Sequence, residues 1–318
     1  MACPAVALMA NAKRAAGHSP SPTPTRRPSR TAGAVSGDRA QVIGNMLQQA
    51  AIVQPEDRVI AIVGNYGSGK TELAVNLALE LSRAGRRVQI ADLDLVNPYF
   101  RCRDARELME SHGIRVVVPP GAQAWADLPI LLPEIRGMLR PPDGTVTIFD
   151  VGGDDAGARA LASFRTSVAE GDYQLWQVIN AKRPFTDTVA GCLAMRRTIE
   201  QASRWTVTAL AINAHLIDET TIDTVLDGWR LAVAMRAETS LPIRFVAAME
   251  RLADSPALGA IDAPTLRLRR HMLPPWLQPA RVAADPAQIV PAARPIPIGR
   301  PGHIAFASAG EPHGPNRH

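Results

Sequence analysis

The chain alternates between short, continuous apolar runs and longer stretches whose apolar residues recur at helical spacing. "RVIAIVG" (from Arg58), "RRVQIADLD", "IRVVVP", "TVTIFDVGG", "YQLWQVIN", "WTVTALAIN" and "IRFVAAM" read as strands, the last being the final clear one. "KTELAVNLALELSRAG" reads as a helix with Leu73, Leu77 and Leu81 on one face and Gly85 as its stop. Further helices are expected near 100–112, through "PEIRGMLR", over 156–168 and over 186–203. Another is expected over 220–238, with Ile222, Val225, Leu226, Trp229 and Val233 at helical spacing. Strands that are apolar along their whole length are covered on both faces. Their alternation with helices predicts an α/β fold, a three-layer αβα arrangement around a mostly parallel, doubly wound sheet.

The regular pattern spans 55–273, with tails of different character on either side. Residues 1–40 are basic, rich in Pro, Ser and Arg and without an apolar period, so disorder is expected there. Prolines crowd the segment 274–318, which reads as an irregular extension. No apolar run approaches the ~18 residues a membrane span requires. Cys3, Cys102 and Cys192 lie far apart and form no C-x-x-C pair. A disulfide framework is therefore not expected, and a reducing, cytoplasmic setting is. Net charge is +5, but 1–39 and 267–318 each carry +5, which leaves 40–266 at −5. An acidic body argues against a nucleic-acid-binding face, leaving only weak binding through the basic tails.

"GNYGSGKT", residues 64–71, has the G-x-x-x-x-G-K-[ST] spacing of a phosphate-wrapping loop, and it sits between an expected strand and an expected helix. Gly64, Gly67 and Gly69 let backbone N–H groups turn inward, with Asn65 and Ser68 completing the loop. The helix start adds its positive dipole end. Lys70 is placed to reach the β- and γ-phosphates, and Thr71 to set its hydroxyl on Mg²⁺. The chain has three lysines, of which only Lys70 and Lys182 lie in the body, so a compact ammonium stands where phosphates are expected. Ligands of such sheets bind outside the carboxyl ends of the strands. Asp92 and Asp94 end one strand there and Asp150 another, as candidate Mg²⁺ partners. Gly153 follows Asp150 closely enough for its N–H to face a γ-phosphate. Asp154 and Asp155 read as helix caps.

Taken together these motifs resemble the SIMIBI-class P-loop ATPases of the CobQ/CobB/MinD/ParA nucleotide-binding group, over roughly residues 57–250. "GSGKTELAVNLALEL", including Asn76, is similar to that group's loop and first helix. "VQIADLDLVNP" is similar to its D-x-D strand, "TIFDVGG" to its Walker B strand, and "ALAINAH" to a later strand whose Asn meets adenine, here Asn213. The string "DLDLVNPYFRCRD…DVGGDDAGAR…NAKRPFT" also resembles a narrower set of bacterial and archaeal ATP-binding proteins. The resemblance implies an ATP- and Mg²⁺-dependent hydrolase acting as a switch for an unidentified protein partner. It implies Thr71, Asp92 and Asp150 in or near the metal shell, Asp94 orienting the attacking water, and "LVNPYFR" as the segment that senses the γ-phosphate. No N-K-x-D guanine signature occurs, which favours ATP over GTP.

One position departs from the group. Many members carry a lysine second in the loop, which reaches across a dimer to the partner's nucleotide. This chain has Asn65 followed by Tyr66. A homodimer is thereby left open, and Lys182 or Arg183 is the candidate substitute for the missing charge. A small-molecule kinase or synthetase, with Arg101 and Arg103 lining an acceptor pocket, is the alternative reading. A ParA/MinD-like positioning ATPase ranks last, because the C-terminus is not a basic amphipathic helix. His112, His215 and His271 read as surface or packing residues.

Overall fold

The computed structural model describes residues 52–94, 105–118, 133–153 and 155–273. In chain order the elements are β1 (Val59–Gly64), α1 (Lys70–Arg83), β2 (Arg87–Leu93), α2 (Arg106–Ser111), β3 (Arg115–Val117) and β4 (Thr145–Val151). They continue with α3 (Asp155–Ala162), β5 (Gln174–Ile179), α4 (Val189–Ser203), β6 (Ala209–Ile212), α5 (Ile222–Thr239), β7 (Ile243–Met249) and β8 (Thr265–Leu268). A short helical stretch over 133–138 precedes β4. The strands form one eight-stranded sheet in the order β3-β2-β4-β1-β5-β6-β7-β8. Every neighbouring pair is parallel.

Period-two alternation divides the core. Ile60 and Ile62 of β1, Ile90 of β2, Ile148 of β4 and Trp176 of β5 pack in one layer with α1, whose Leu73, Leu77 and Leu81 are all buried. Val59, Ala61 and Val63 point the other way, towards Ile135, Phe164 and Ile199 of α4. A third cluster beneath α5 gathers Leu210, Ile212, Val225 and Val246. Both faces of the central strands are thus covered, which is why they read as unbroken apolar runs. Each large side chain buried this way contributes roughly 1.5–3 kcal/mol.

Several boundaries differ from those the sequence suggests. α3 stops at Ala162, where the Ser163 hydroxyl donates to the Ala160 carbonyl and a 3₁₀ turn over Arg165–Ser167 follows. α4 starts at Val189, because the Thr188 hydroxyl caps it by accepting from the Gly191 N–H at 3.2 Å. Val233 of α5 is 37% exposed, so the helix's apolar face is narrower than its spacing suggested. β8 was not anticipated at all. Its "TLRL" alternates half-buried with buried positions at the edge of the sheet, so it offers no apolar run to recognise.

β1 lies mid-sheet, with β2–β4 on one side and β5–β8 on the other. Its carboxyl end is therefore the point at which strand order reverses, the usual place for a ligand crevice. No helix among the described residues is long and apolar enough to cross a membrane.

The backbone leaving β8 crosses back over α1. Asn76 donates from Nδ2 to the Arg269 carbonyl at 2.9 Å and accepts the Arg269 N–H on Oδ1 at 2.9 Å. One turn earlier, Glu72 accepts the N–H groups of His271 at 2.7 Å and Met272 at 3.0 Å. Two α1 side chains thus complete the hydrogen bonding of a strap, 269–272, that has no strand partner of its own there. Asn76→Ala removes both bonds to Arg269 and is expected to lower stability by about 1–3 kcal/mol, the usual cost of orphaned buried polar groups. Urea denaturation measures this, and an unchanged midpoint would contradict the strap.

Candidate nucleotide site

The loop between β1 and α1 takes a shape only glycine permits at two points. Gly64 has φ +149°, and a Cβ there would lie 2.7 Å from the Val178 carbonyl oxygen. Gly69 has φ +84°, and a Cβ there would lie 2.3 Å from Asn213 Nδ2. Among the described residues no side chain caps α1 at its N-terminus. Its first-turn N–H groups therefore remain for an anion, reinforced by the helix dipole. Lys70 is buried, and its Nζ donates to the Asn65 carbonyl at 3.1 Å, across the loop. The buried Ser68 hydroxyl has no partner among the described residues. Asn213 donates to the Ser68 carbonyl at 2.9 Å, so it braces the phosphate loop from the end of β6. Asn65 likewise turns inward: Oδ1 accepts the Tyr66 N–H at 2.8 Å and Nδ2 donates to the Pro184 carbonyl at 2.9 Å.

Beneath this loop, Asp92 of β2 and Asp150 of β4 stand side by side in register. They are 1% and 0% exposed. Asp92 Oδ1 accepts the Asp94 N–H at 3.0 Å, turning the chain so that Asp94 lines the cavity. Neither Asp150 oxygen has a well-formed hydrogen bond. Burial, then the neighbouring Asp92 charge, pushes the Asp150 carboxyl up to about 8, with Asp94 adding to the effect and the Thr71 hydroxyl and Lys70 opposing it. Gly153 closes the far side, where a Cβ would lie 2.9 Å from both Lys70 Nζ and the Tyr66 nitrogen.

This donor set fits Mg²⁺. Mg²⁺ takes hard oxygen ligands and is commonly held by one or two carboxylates together with substrate phosphates. Thr71 and Asp150 would hold it, with Asp92 alongside. Among the described residues no group of three His, Cys, Asp or Glu side chains forms a protein-only cage. A phosphate-borne Mg²⁺ requires none.

A cavity of about 300 Å³ begins at Gly67, Lys70, Thr71, Asp94 and Gly153 and continues into an apolar slot lined by Val225, Ala247, Met249, Leu268 and Met272. The strap, through Arg270 and Met272, forms one wall of it. His215, two residues after Asn213, also lines it and packs beside Gly69. Burial, then the charge of Arg183, lowers its pKa to about 4, so the imidazole is neutral at neutral pH. Of the large apolar side chains exposed among the described residues, Tyr66, Phe185, Leu216 and Ile217 lie in the loops around the mouth. Phe185 and Ile217 hold φ of +69° and +56°. Positive φ is unusual for such residues and concentrates at functional loops.

Of the loop and strand-end residues singled out in the sequence, Gly67, Gly69, Lys70, Thr71, Asp94, Gly153 and Asn213 line one cavity, while Gly64, Asn65, Ser68, Asp92 and Asp150 belong to the same loop and strand ends without lining it. Sequence reasoning missed His215, Arg270 and Glu72 as parts of it. His215 lay inside the quoted "INAH" string, whereas the other two enter through the unanticipated strap. Lys182 is turned away, its Nζ 2.6 Å from Asp227 Oδ2 on α5. Asp154, the Asp155 side chain, Arg101, Arg103 and the segment "LVNPYFR" fall outside the described residues.

No family model matches the sequence, and no curated protein matches it. Among solved structures it is similar to signal recognition particle 54 kDa protein from Aeropyrum pernix K1 in complex with GDP, at a TM-score of 0.42 and 16% identity. That match covers 69% of this chain and 49% of the other, about half its length. It is also similar to the cell division protein FtsY of Thermotoga maritima, at a TM-score of 0.41 and 19% identity, covering 63% of this chain and 67% of that one. A third is the BceF tyrosine kinase domain, at a TM-score of 0.37 and 18% identity, covering 55% and 76% respectively. Likenesses of this size do not choose a nucleotide. The eight parallel strands, the glycine-shaped loop after the central strand and the covering helices define a three-layer α/β P-loop NTPase fold.

The Asp150 pKa has a consequence for stability. It rises from 3.8 to about 8 on folding, so ionising the carboxyl costs stability. The stability that goes with the protonated carboxyl is fully present below the unfolded value and is lost progressively as pH rises through about 8. Asp150→Asn is expected to flatten the decline in ligand-free stability between about pH 5 and pH 8, measured by urea denaturation. An equal decline in both proteins would contradict the buried, raised carboxyl.

Proposed function

We propose that the protein binds ATP with Mg²⁺ and hydrolyses it slowly, as a nucleotide switch for a partner protein, in the manner of the SIMIBI group its motifs resemble. The observation that carries the nucleotide is the loop set over the buried Asp92–Asp150 pair, with Lys70 and Thr71 at its base.

The choice of base rests on the slot. Guanine presents two donors on one edge, N1–H and the exocyclic amine, and is best met by a free carboxylate. Among the described residues the cavity has two carboxylates, Glu72 and Asp94. Both Glu72 oxygens are taken by the strap N–H groups. Asp94 lies at the phosphate end, next to the Asp92 it is tied to. An apolar slot that, among the described residues, offers no free carboxylate suits adenine.

In this reading Lys70 and the α1 N–H groups bind the β- and γ-phosphates, and Asp94 orients the attacking water. Bound Mg²⁺ supplies neutralisation of the phosphate charge. Asn65 carries no charge and is tied within its own chain, which supports slow turnover in the absence of a partner.

Steady-state phosphate release should fall at least about a hundredfold in Lys70→Ala, consistent with loss of a group that meets developing charge. ATP should compete at least about tenfold better than GTP for a fluorescent nucleotide. Equal turnover in wild type and variant would end the hydrolase reading, and tighter GTP binding would end the adenine reading.

A further inference from the structure

The segment after β5, residues 180–186, is drawn tightly against the phosphate loop. Asn180 Oδ1 accepts the N–H groups of Lys182 at 2.9 Å and His215 at 3.2 Å, which fixes the turn to the end of β6. The Thr186 hydroxyl donates back to the Asn180 carbonyl at 2.9 Å. Asn65 reaches over from the phosphate loop to the Pro184 carbonyl. Within this turn the two basic residues part company. Lys182 goes outward to Asp227. Arg183 goes inward, where its Nε donates to the Gly67 carbonyl at 3.0 Å and its guanidinium lies over Gly67.

Among the described residues nothing engages the terminal nitrogens of Arg183. Most arginines among the described residues pair with a carboxylate, including Arg196, Arg230, Arg244, Arg267, Arg269 and Arg270. Among the described residues the Arg183 side chain forms no ion pair, and its one hydrogen bond is made by Nε. Lys70, Arg270 and the neutral His215 line the same cavity, together with two carboxylates: Glu72, which is bonded to the strap, and Asp94, at the phosphate-loop end. A guanidinium anchored by one nitrogen, with its terminal nitrogens free at a phosphate loop, has the geometry for bidentate binding of an anion.

We propose that Arg183 is a phosphate-binding residue supplied in cis: Nε, held on the Gly67 carbonyl, aims the two terminal nitrogens at the phosphate chain of the bound nucleotide, and Asn65 acts as the tether that keeps the turn in place. This rests on the nucleotide reading above and assigns Asn65 a structural role within its own chain.

The test uses the full chain with Arg183→Gln, which keeps a donor for Gly67 but no charge, and Arg183→Lys, which keeps the charge but not the fork. Affinities are measured for adenosine, ADP and a non-hydrolysable ATP analogue, alongside ATP turnover and thermal melting. Arg183→Gln should weaken ADP and the analogue by tenfold or more and lower turnover, with adenosine binding and melting unchanged and Arg183→Lys in between. If wild type binds and the variant loses adenosine and ADP equally, or loses neither, the phosphate role is overturned while the ATP reading stands. If wild type binds no nucleotide at all, both fall. Mixing Arg183→Gln with Lys70→Ala separates cis from trans. Turnover that stays at the level of the separate variants supports the cis arrangement, and restored turnover overturns it.

Discussion

The site turns on a charge problem at the centre of the sheet. Two parallel neighbours, β2 and β4, end in aspartates that the register sets side by side, and the layers above and below seal them from water. Two such carboxylates cannot both ionise comfortably in that position. Lys70 and Thr71 lie at the start of α1, a helix whose N-terminus has no side-chain cap among the described residues and points its dipole at the same spot. The loop geometry, the close approach of Gly153 and the position of α1 all place positive character against this pair. A cation and an anion that arrive together, as a metal–phosphate complex does, resolve both imbalances at once.

Much of this was legible in the sequence because it is local. A strand, a glycine-rich turn and a helix start are consecutive in "IAIVGNYGSGKTEL", and strand-final Asp residues advertise themselves at the end of apolar runs. Parallel pairing followed from strands apolar on both faces. What stayed hidden depends on distant contacts. Glu72 and Asn76 look like ordinary helix-surface residues until the strap arrives from 193 to 200 positions away to be bonded by them. β8 was hidden because an edge strand needs only one covered face. The shorter α3 and α4 reflect hydroxyls of Ser163 and Thr188 that compete locally with helix hydrogen bonding.

The second position of the phosphate loop acquires a different meaning from the structure. By sequence, Asn65 marks the loss of a charge. In the fold, its Nδ2 ties the phosphate loop to the Pro184 carbonyl of the adjoining turn while its Oδ1 bonds the Tyr66 N–H, and that turn holds an arginine over Gly67 of the same loop. The aromatic and aliphatic residues around the mouth then stand on loops that are internally braced, two of them at positive φ. Strain of this kind persists where the surrounding contacts overdetermine the conformation.

The strap also bears on how the molecule comes into being. The phosphate loop and its helix emerge early in synthesis, but the wall of the adjoining slot is supplied by residues 268–272, bonded to a helix nearly two hundred positions earlier. Closing so long a loop comes late in folding, because its entropy must be lost before the contacts reward it. A nascent chain ending before β8 would carry the loop without the wall that Leu268, Arg270 and Met272 supply, so in the reading proposed above the slot is complete only once residue 272 has left the ribosome.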